Sequence, residues 1–537
     1  MMMRQLRDPD RLLFFALLLL HVLPLWCFRY FPSQDGPVHL ENVTILRDYH
    51  RPDRTLLPRF YTINGRFHPN WFGHLALLGL MTVLPPLVAE KVLLTGYLVL
   101  LPLGLRYALE GVRAGAGWLA VLAFPLLHHF LYHMGFYNFC YSLGLFGFVV
   151  GYYLRHHEHF GVRQTLILGA LAVLTYFCHA VGLAAAMLAV GVLALAWRPA
   201  GQSLVRRLVG PTLAFLPVVA LGAAFVGRQG GGAAWKNTRL GLWDALRQLE
   251  MLVSYLNLER LFTELFFWGL AALTVAVLWA RWRSRSFGRA DWLLAVPALT
   301  FAAYFTAPTE LSGGGFVEPR LALLALLALI LWLGTFPFGP RLKWTVQGSA
   351  ALIAVGLLVL HVTAYAAFND YLDDYLSAEP HLEANRTLLP LPFARRLHTG
   401  DPRLDNAKVG VFRHAAGYLA AQVGVIDLEN YEGTTGYFPV NYRPEVDPFV
   451  QLNPDQVGED VGLQAAPPDV DFLKYGERTG IPVDYVLLWD VRPESKKSPV
   501  GEAIFAQLAD RYELIHTSPR GLLQLYRRKD FSREPDR

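Results

Sequence analysis

RLLFFALLLLHVLPLWCFRYFPSQDGPVHLENV, residues 11–43, decides how the rest of the chain is read. Its first part, residues 11–28, is an apolar run. About 17–25 such residues suffice for a helix that crosses a bilayer. Its second part leaves that run and sets down Asp35, His39 and Glu41 almost at once. Apolar blocks of similar length recur as far as Ala367. Helices satisfy their own backbone groups in lipid, so a chain made of such blocks reads as a polytopic α-helical membrane protein. The composition agrees. Of 537 residues, 54% are hydrophobic and 17% charged, against about 25% charged in soluble domains. The mean hydropathy is +0.31.

Working outward, about eleven transmembrane helices are expected, near residues 11–28, 90–109, 118–131, 136–154, 165–180, 181–197, 208–226, 261–280, 290–306, 321–336 and 344–367. The run from 165 to 197 is too long for one helix and must turn near His179 and Gly182. Residues 71–84 are apolar but short, and Pro85-Pro86 stops them. Placed along the surface rather than across the membrane, they leave Arg106/Arg113, Arg155/Arg163, Arg281/Arg283/Arg285/Arg289 and Arg341/Lys343 in loops on the N-terminal side. The positive-inside rule makes that side cytoplasmic. The first outside loop is then 29–89 and the second 227–260. The chain divides into a transmembrane part, 1–367, and a polar extracytoplasmic α/β domain, 368–537. In the latter, DYVLLWD (484–490) reads as a buried strand and GEAIFAQLADRY as an amphipathic helix. YELIHTS and GLLQLYRR read as two strands joined by a turn at Pro519-Arg520-Gly521. KVGVFRHAAGYLAAQVG (408–424) reads as a strand and then a helix.

Several functions are excluded early. Cys27, Cys140 and Cys178 form no CxxC pair and no disulfide framework. The net charge of +5 comes without a dense basic block, so no nucleic-acid partner is expected. There is no serine-nucleophile elbow and no zinc-protease motif.

Asp35 carries two readings. Gly36-Pro37 gives a turn, and the residues after it can form a helix that puts Asp35 and His39 on one face, with Asn42 a turn further on. Asp35 then either caps that helix or, desolvated and so more basic, takes a proton from a hydroxyl. His129 and His133, four apart, would share a helix face as metal ligands can, or serve a polar interfacial belt. Tyr137 and Asn138 could line a sugar pocket. Arg320 stands at the start of a span, and Lys236 and Arg239 follow a glycine-rich stretch. Each could meet a phosphate or lie as an ordinary interfacial or loop cation. The acid- and aromatic-rich stretch DLENYEGTTGYFPVNYR (427–443) could grip a sugar, or pack as a turn-rich loop.

Asp35-Gly36-Pro37-Val38-His39, and secondarily YHMGFYNFCYSLGL (132–145), sit in a layout that resembles the GT-C glycosyltransferases. The resemblance is to the bacterial branch related to protein O-mannosyltransferases and aminoarabinose transferases. It implies a GT-C-like fold and a bacterial inner-membrane location. It further implies a polyprenyl-phosphate-linked sugar donor, an extracytoplasmic glycan, lipid or protein acceptor, and inversion at the anomeric carbon. Asp35 matches the first-loop catalytic acid. His39, Glu41, His133, Asn138, Lys236, Arg239 and Arg320 are the expected substrate-binding residues. No metal ligand is assigned, because the first loop lacks an Asp-x-Asp or Asp-Glu pair, and a divalent metal stays open. Two rivals remain. A transporter or flippase for a lipid-linked saccharide would favour inverted repeats and mid-span charges. A non-enzymatic envelope assembly protein would tolerate replacement of Asp35 but not deletion after Phe368.

Overall fold

The computed structural model describes residues 8–197, 203–229, 232–311, 314–394, 396–397, 399–453, 463 and 465–530. The chain forms two compact units. The first comprises residues 1–27, 67–73 and 91–363, and the second residues 28–66, 74–90 and 364–537. The second unit therefore takes in most of the first outside loop as well as the polar C-terminal region.

The first unit is helical. Among the described residues five helices of the chain are long and apolar enough to span a membrane: Pro9–Cys27, Pro86–Val112, Leu204–Arg228, Glu259–Ser284 and Pro340–His381. Shorter apolar helices include Val162–Cys178 and Ala180–Ala196. These two are separated only by His179, whose backbone is extended, so the expected turn falls there. Val317–Leu333 is apolar all round after Arg320 and buried along almost its whole length, as a central helix should be. The Leu204–Gln229 helix instead leaves Leu213, Leu216, Val219 and Val226 exposed, an apolar stripe suited to lipid. The helices Pro86–Val112 and Tyr137–His156 approach so closely that a Cβ on Gly147 would lie 2.4 Å from the backbone carbon of Gly104. Small residues let membrane helices pack in this way.

Two expected spans are not continuous α-helices. Residues 118–131 give way to the 3-10 helix Gly117–Leu126 followed by the single turn Phe130–His133. Pro125 lies inside the former and cannot donate an α-helical bond. Residues 290–306 split into the 3-10 helix Arg289–Leu294 and the α-helix Ala295–Thr306. Pro297 falls in the first turn of the second piece, where its missing N–H costs no hydrogen bond. The 71–84 segment forms the helix Phe72–Leu80. Its nine residues rise about 14 Å, too little to cross a core of about 30 Å.

The second unit is built on a five-stranded sheet. Its strands are β1 Thr387–Pro392, β2 Ile426–Asp427, β3 Tyr485–Trp489, β4 Tyr512–Thr517 and β5 Leu523–Arg528, in the order β2-β1-β3-β5-β4. β1 runs parallel to β2 and β3, and β5 is antiparallel to β3 and β4. Two features differ from expectation. Residues 408–414 are turns, with Val411 N bonded to Val409 O and Arg413 N to Gly410 O, and no strand forms there. The strand in that neighbourhood is β1, whose Pro390 and Pro392 lie beyond the two residues that β2 pairs, where a missing N–H costs no bond on that side. The hydrophobic core of this unit mixes Ile45, Leu57, Phe60 and Tyr61 of the first loop with Leu389, Leu391, Ile426, Val486 and Leu488 of the sheet. The loop also contributes the strand Tyr61–Ile63, antiparallel to Val440–Tyr442.

Candidate active site

Asp35 directly precedes the helix Gly36–Asp48, and its side chain makes no capping bond to it. Pro37 lies in the first turn, and the helix's first bond runs from His39 N to the backbone oxygen of Asp35. The carboxylate is turned elsewhere. It accepts from Gln34 Nε2 at 3.0 Å and lies 3.9 Å from His414 Nε2, and it is only 3% exposed. Burial pushes its pKa up, and the neighbouring His414 and His39 charges and the Gln34 bond pull it partly back.

His414 continues the line. Its Nδ1 lies 2.8 Å from Glu429 Oε2, and its ring packs on Tyr431 at 4.7 Å. Burial lowers the imidazole to about 4 and raises Glu429 well above the usual carboxyl range. Asp35, His414 and Glu429 therefore form a carboxyl–imidazole–carboxyl row in which one proton can be held at either end. His414 is brought in because the helix Ala416–Val423 comes hard against the start of Gly36–Asp48. A Cβ on Gly417 would sit 2.7 Å from the backbone of Pro37.

Glu41 and Asp427 are buried in the same unit and both are pushed well up by desolvation first; repulsion from Asp427 adds to the rise at Glu41, and repulsion from Glu429 to that at Asp427. His39 Nδ1 lies 2.9 Å from Glu432 Oε1, and His74 Nε2 lies 3.2 Å from Glu432 Oε2. Burial favours the neutral acid at Glu432, but the His39 charge and the close approach of both imidazoles outweigh it and hold the carboxyl at about 2. The 427–443 stretch thus supplies Asp427, Glu429, Tyr431 and Glu432 to one buried cluster with the first-loop helix.

A cavity of about 280 Å³ opens in this unit, near the small end of ligand sites at about 300–1,000 Å³. Gln34, Glu429, Arg396, Lys408 and Arg413 line it, together with Trp489, which stacks on Phe412 at 5.1 Å. Gln34 joins the two features, bonding Asp35 on one side and accepting from Gly410 N on the other.

The remaining sequence candidates lie in the first unit. Lys236 pairs with Glu310 at 2.6 Å, and Asn237 donates to Glu318 at 3.1 Å. The short antiparallel pair Ala233–Ala234 and Glu310–Leu311 thereby ties the Lys236 loop to the loop before Arg320. Arg320 donates to Gly315 O and lies over the rings of Phe136 and Phe139. Arg239 is exposed at the start of the helix Arg239–Arg247. Asn138 uses both ends of its amide on the 67–73 segment, accepting from Gly73 N at 2.6 Å and donating to Asn70 O at 2.8 Å. It positions that segment rather than presenting itself to a pocket. His129 caps the turn Phe130–His133 through Nδ1 and does not share a ligand face with His133. His133 instead bonds Ser254 Oγ and groups with His128 and His361.

Sequence reasoning missed His414 and His74. His414 lies in a stretch whose alternating Val409 and Val411 mimic a strand, and His74 lies in a segment dominated by its apolar residues. No local signal marks either, since their partners are distant in sequence.

No protein-family model matches the chain, and no curated protein matches its sequence. Among solved structures, ArnT from Cupriavidus metallidurans in the apo state overlays with a TM-score of 0.55 at 14% identity, covering 96% of this chain and 97% of that one. The chain therefore shares the fold of that ArnT structure. The structure of ArnT bound to undecaprenyl phosphate covers the same shares at 13% identity with a TM-score of 0.45, too loose an overlay to carry an argument. In this chain Asp35 lies between the first apolar helix, Pro9–Cys27, and the helix Gly36–Asp48.

Proposed function

We propose that the chain is a glycosyltransferase of the bacterial inner membrane that moves a sugar from a polyprenyl-phosphate donor to an extracytoplasmic hydroxyl. The observation that carries this reading is the buried Asp35 carboxylate. On a GT-C fold it is withheld from capping its own helix and backed by His414 and Glu429 beside a cavity. Asp35 takes the proton from the acceptor hydroxyl, whose oxygen attacks the anomeric carbon. The bond from that carbon to the phosphate oxygen breaks, and the configuration inverts. The proton on Asp35 passes through His414 to Glu429, which lines the cavity and returns it to solvent. In the first unit Arg320, with Lys236 and Arg239, are the candidates for the donor phosphate. Positioned cations stabilise such leaving groups.

The test is incubation of the purified chain in lipid nanodiscs with polyprenyl-phosphate hexoses and extracted envelope acceptors. Wild-type protein releases polyprenyl phosphate and labels an acceptor. Asp35→Asn lowers turnover by about 10²–10⁴-fold, with little change in donor KM. Full turnover by Asp35→Asn removes Asp35 from the base role. Movement of the lipid across the bilayer without release of phosphate favours the flippase.

A further inference from the structure

His39, His74 and Glu432 come from three segments of the second unit: the helix Gly36–Asp48, the helix Phe72–Leu80 and the 3-10 turn Tyr431–Thr434. We propose that these three side chains bind one zinc-class divalent cation and so staple the three segments together. The inference stands apart from the transferase reading, since it needs neither the donor nor Asp35.

Four observations support it. First, one ligand atom from each residue lies within 4.8 Å of the others, and the three residues are 6%, 1% and 0% exposed. Second, the closest approaches are 2.9 and 3.2 Å. They end on the two different oxygens of one carboxylate, and both are near the edge of about 3.3 Å that a tetrahedral ion with bonds of about 2.0–2.1 Å leaves between ligand atoms. Third, Glu432 Oε1 receives no hydrogen bond from any described residue. His39 Nδ1 is close but not aligned as a donor, which leaves that oxygen's lone pairs available to a cation. Fourth, the carboxylate is held from outside the triad. Asn42 Nδ2 donates to Glu432 Oε2 at 2.5 Å, and Asn430 Nδ2 donates to Asn42 Oδ1 at 2.9 Å. Hydrogen-bonded support of this kind accompanies ligating carboxylates. Two imidazoles and one carboxylate suit zinc and its neighbours rather than calcium or magnesium, which prefer oxygen. Phe438 packs on both imidazoles, at 6.4 and 5.5 Å, and walls the site with an apolar ring.

The test uses the full chain, purified without a histidine tag, stripped with chelator, loaded with zinc chloride and desalted. Metal is counted by mass spectrometry, and thermal midpoints are measured with and without zinc. The wild type is expected to retain zinc and to rise by about 3–8 °C on loading. His74→Gln and Glu432→Gln each lose one equivalent and that rise. His133→Gln, which alters the separate histidine group of the first unit, keeps both. Because a variant can lose metal by misfolding, the wild type alone also decides. No zinc retained, or no rise at micromolar free zinc, overturns the proposal. So does a His74→Gln protein that holds as much zinc as the wild type.

Discussion

Replacing His414 with glutamine should make the second unit less sensitive to acid. The imidazole is buried and its pKa is lowered to about 4, against about 6.5 for a free imidazole. Desolvation is the main cause. The Asp35 carboxylate opposes it, Arg413 adds to it, and Glu429, Tyr431, Glu432 and His39 complete the surroundings. The sign follows from linkage. Between pH 6.5 and 4 the unfolded chain binds a proton at this position that the folded chain refuses, so stability falls as the pH falls through that window. The full difference is about 2.5 pH units, or about 3.4 kcal/mol at 1.36 kcal/mol per unit. Between pH 7 and pH 5 the expected loss is about 1.8 kcal/mol. For a domain of about 150–250 residues that is a fall in Tm of about 4–7 °C. Glutamine can still bridge Asp35 and Glu429 but has no proton to gain. The assay is thermal unfolding of full-length wild type and His414→Gln in one detergent at pH 7 and pH 5. The other buried carboxyls titrate in both proteins, so the difference between the two pH shifts reads His414 together with its coupling to Asp35. An equal shift in the two proteins would refute the neutral buried imidazole and with it the relay.

Four further outcomes are expected. Gly147→Ala should destabilise the first unit by about 1–3 kcal/mol, because the new methyl meets the backbone of Gly104 and Leu105. Gly191→Ala, with nothing within 4 Å of the added carbon, should be neutral or stabilising by up to about 1 kcal/mol, and the paired melting temperatures check both. Asn138→Ala should cost about 1–3 kcal/mol by leaving Gly73 N–H without its acceptor, read as a lower Tm and faster proteolysis near residue 70. Arg320→Lys should raise the donor KM about ten-fold, since lysine keeps the charge but loses the planar fork. An unchanged KM in the transfer assay would remove Arg320 from the phosphate site.

The membrane architecture was legible because hydropathy and length act locally. The Pro9–Cys27, Pro86–Val112 and Glu259–Ser284 helices fall close to where apolar runs put them. The strands Tyr485–Trp489, Tyr512–Thr517 and Leu523–Arg528 also fall where their patterns put them. The errors have local causes too. Pro390 and Pro392 hid β1, and Val409 and Val411 imitated a strand while serving a turn. Of the candidate site, Asp35 and His39 were visible because they stand beside the first span. His414 and His74 were not, and Glu432 showed only as one acid of the 427–443 stretch, because what makes them a site is their distance to residues hundreds of positions away. Sequence pattern carries no record of that distance.

That long-range construction changes which experiments can separate an enzyme from an assembly protein. Read from sequence, removal of the chain after Phe368 looks like a test of the outer domain alone. The structure places Ile45, Leu57, Phe60 and Tyr61 in one core with the C-terminal sheet, and the strand Tyr61–Ile63 pairs with Val440–Tyr442. Asp35 likewise faces His414 and Tyr431, both in the part that would be removed. Such a deletion strips the first loop of its core and Asp35 of its relay together, so an assembly protein and a transferase would fail alike. Only substitutions that keep this core intact can tell the two apart. Asp35→Asn is the sharpest of them, because it keeps the side chain's shape and an acceptor oxygen for Gln34 while removing the charge and the ability to take a proton.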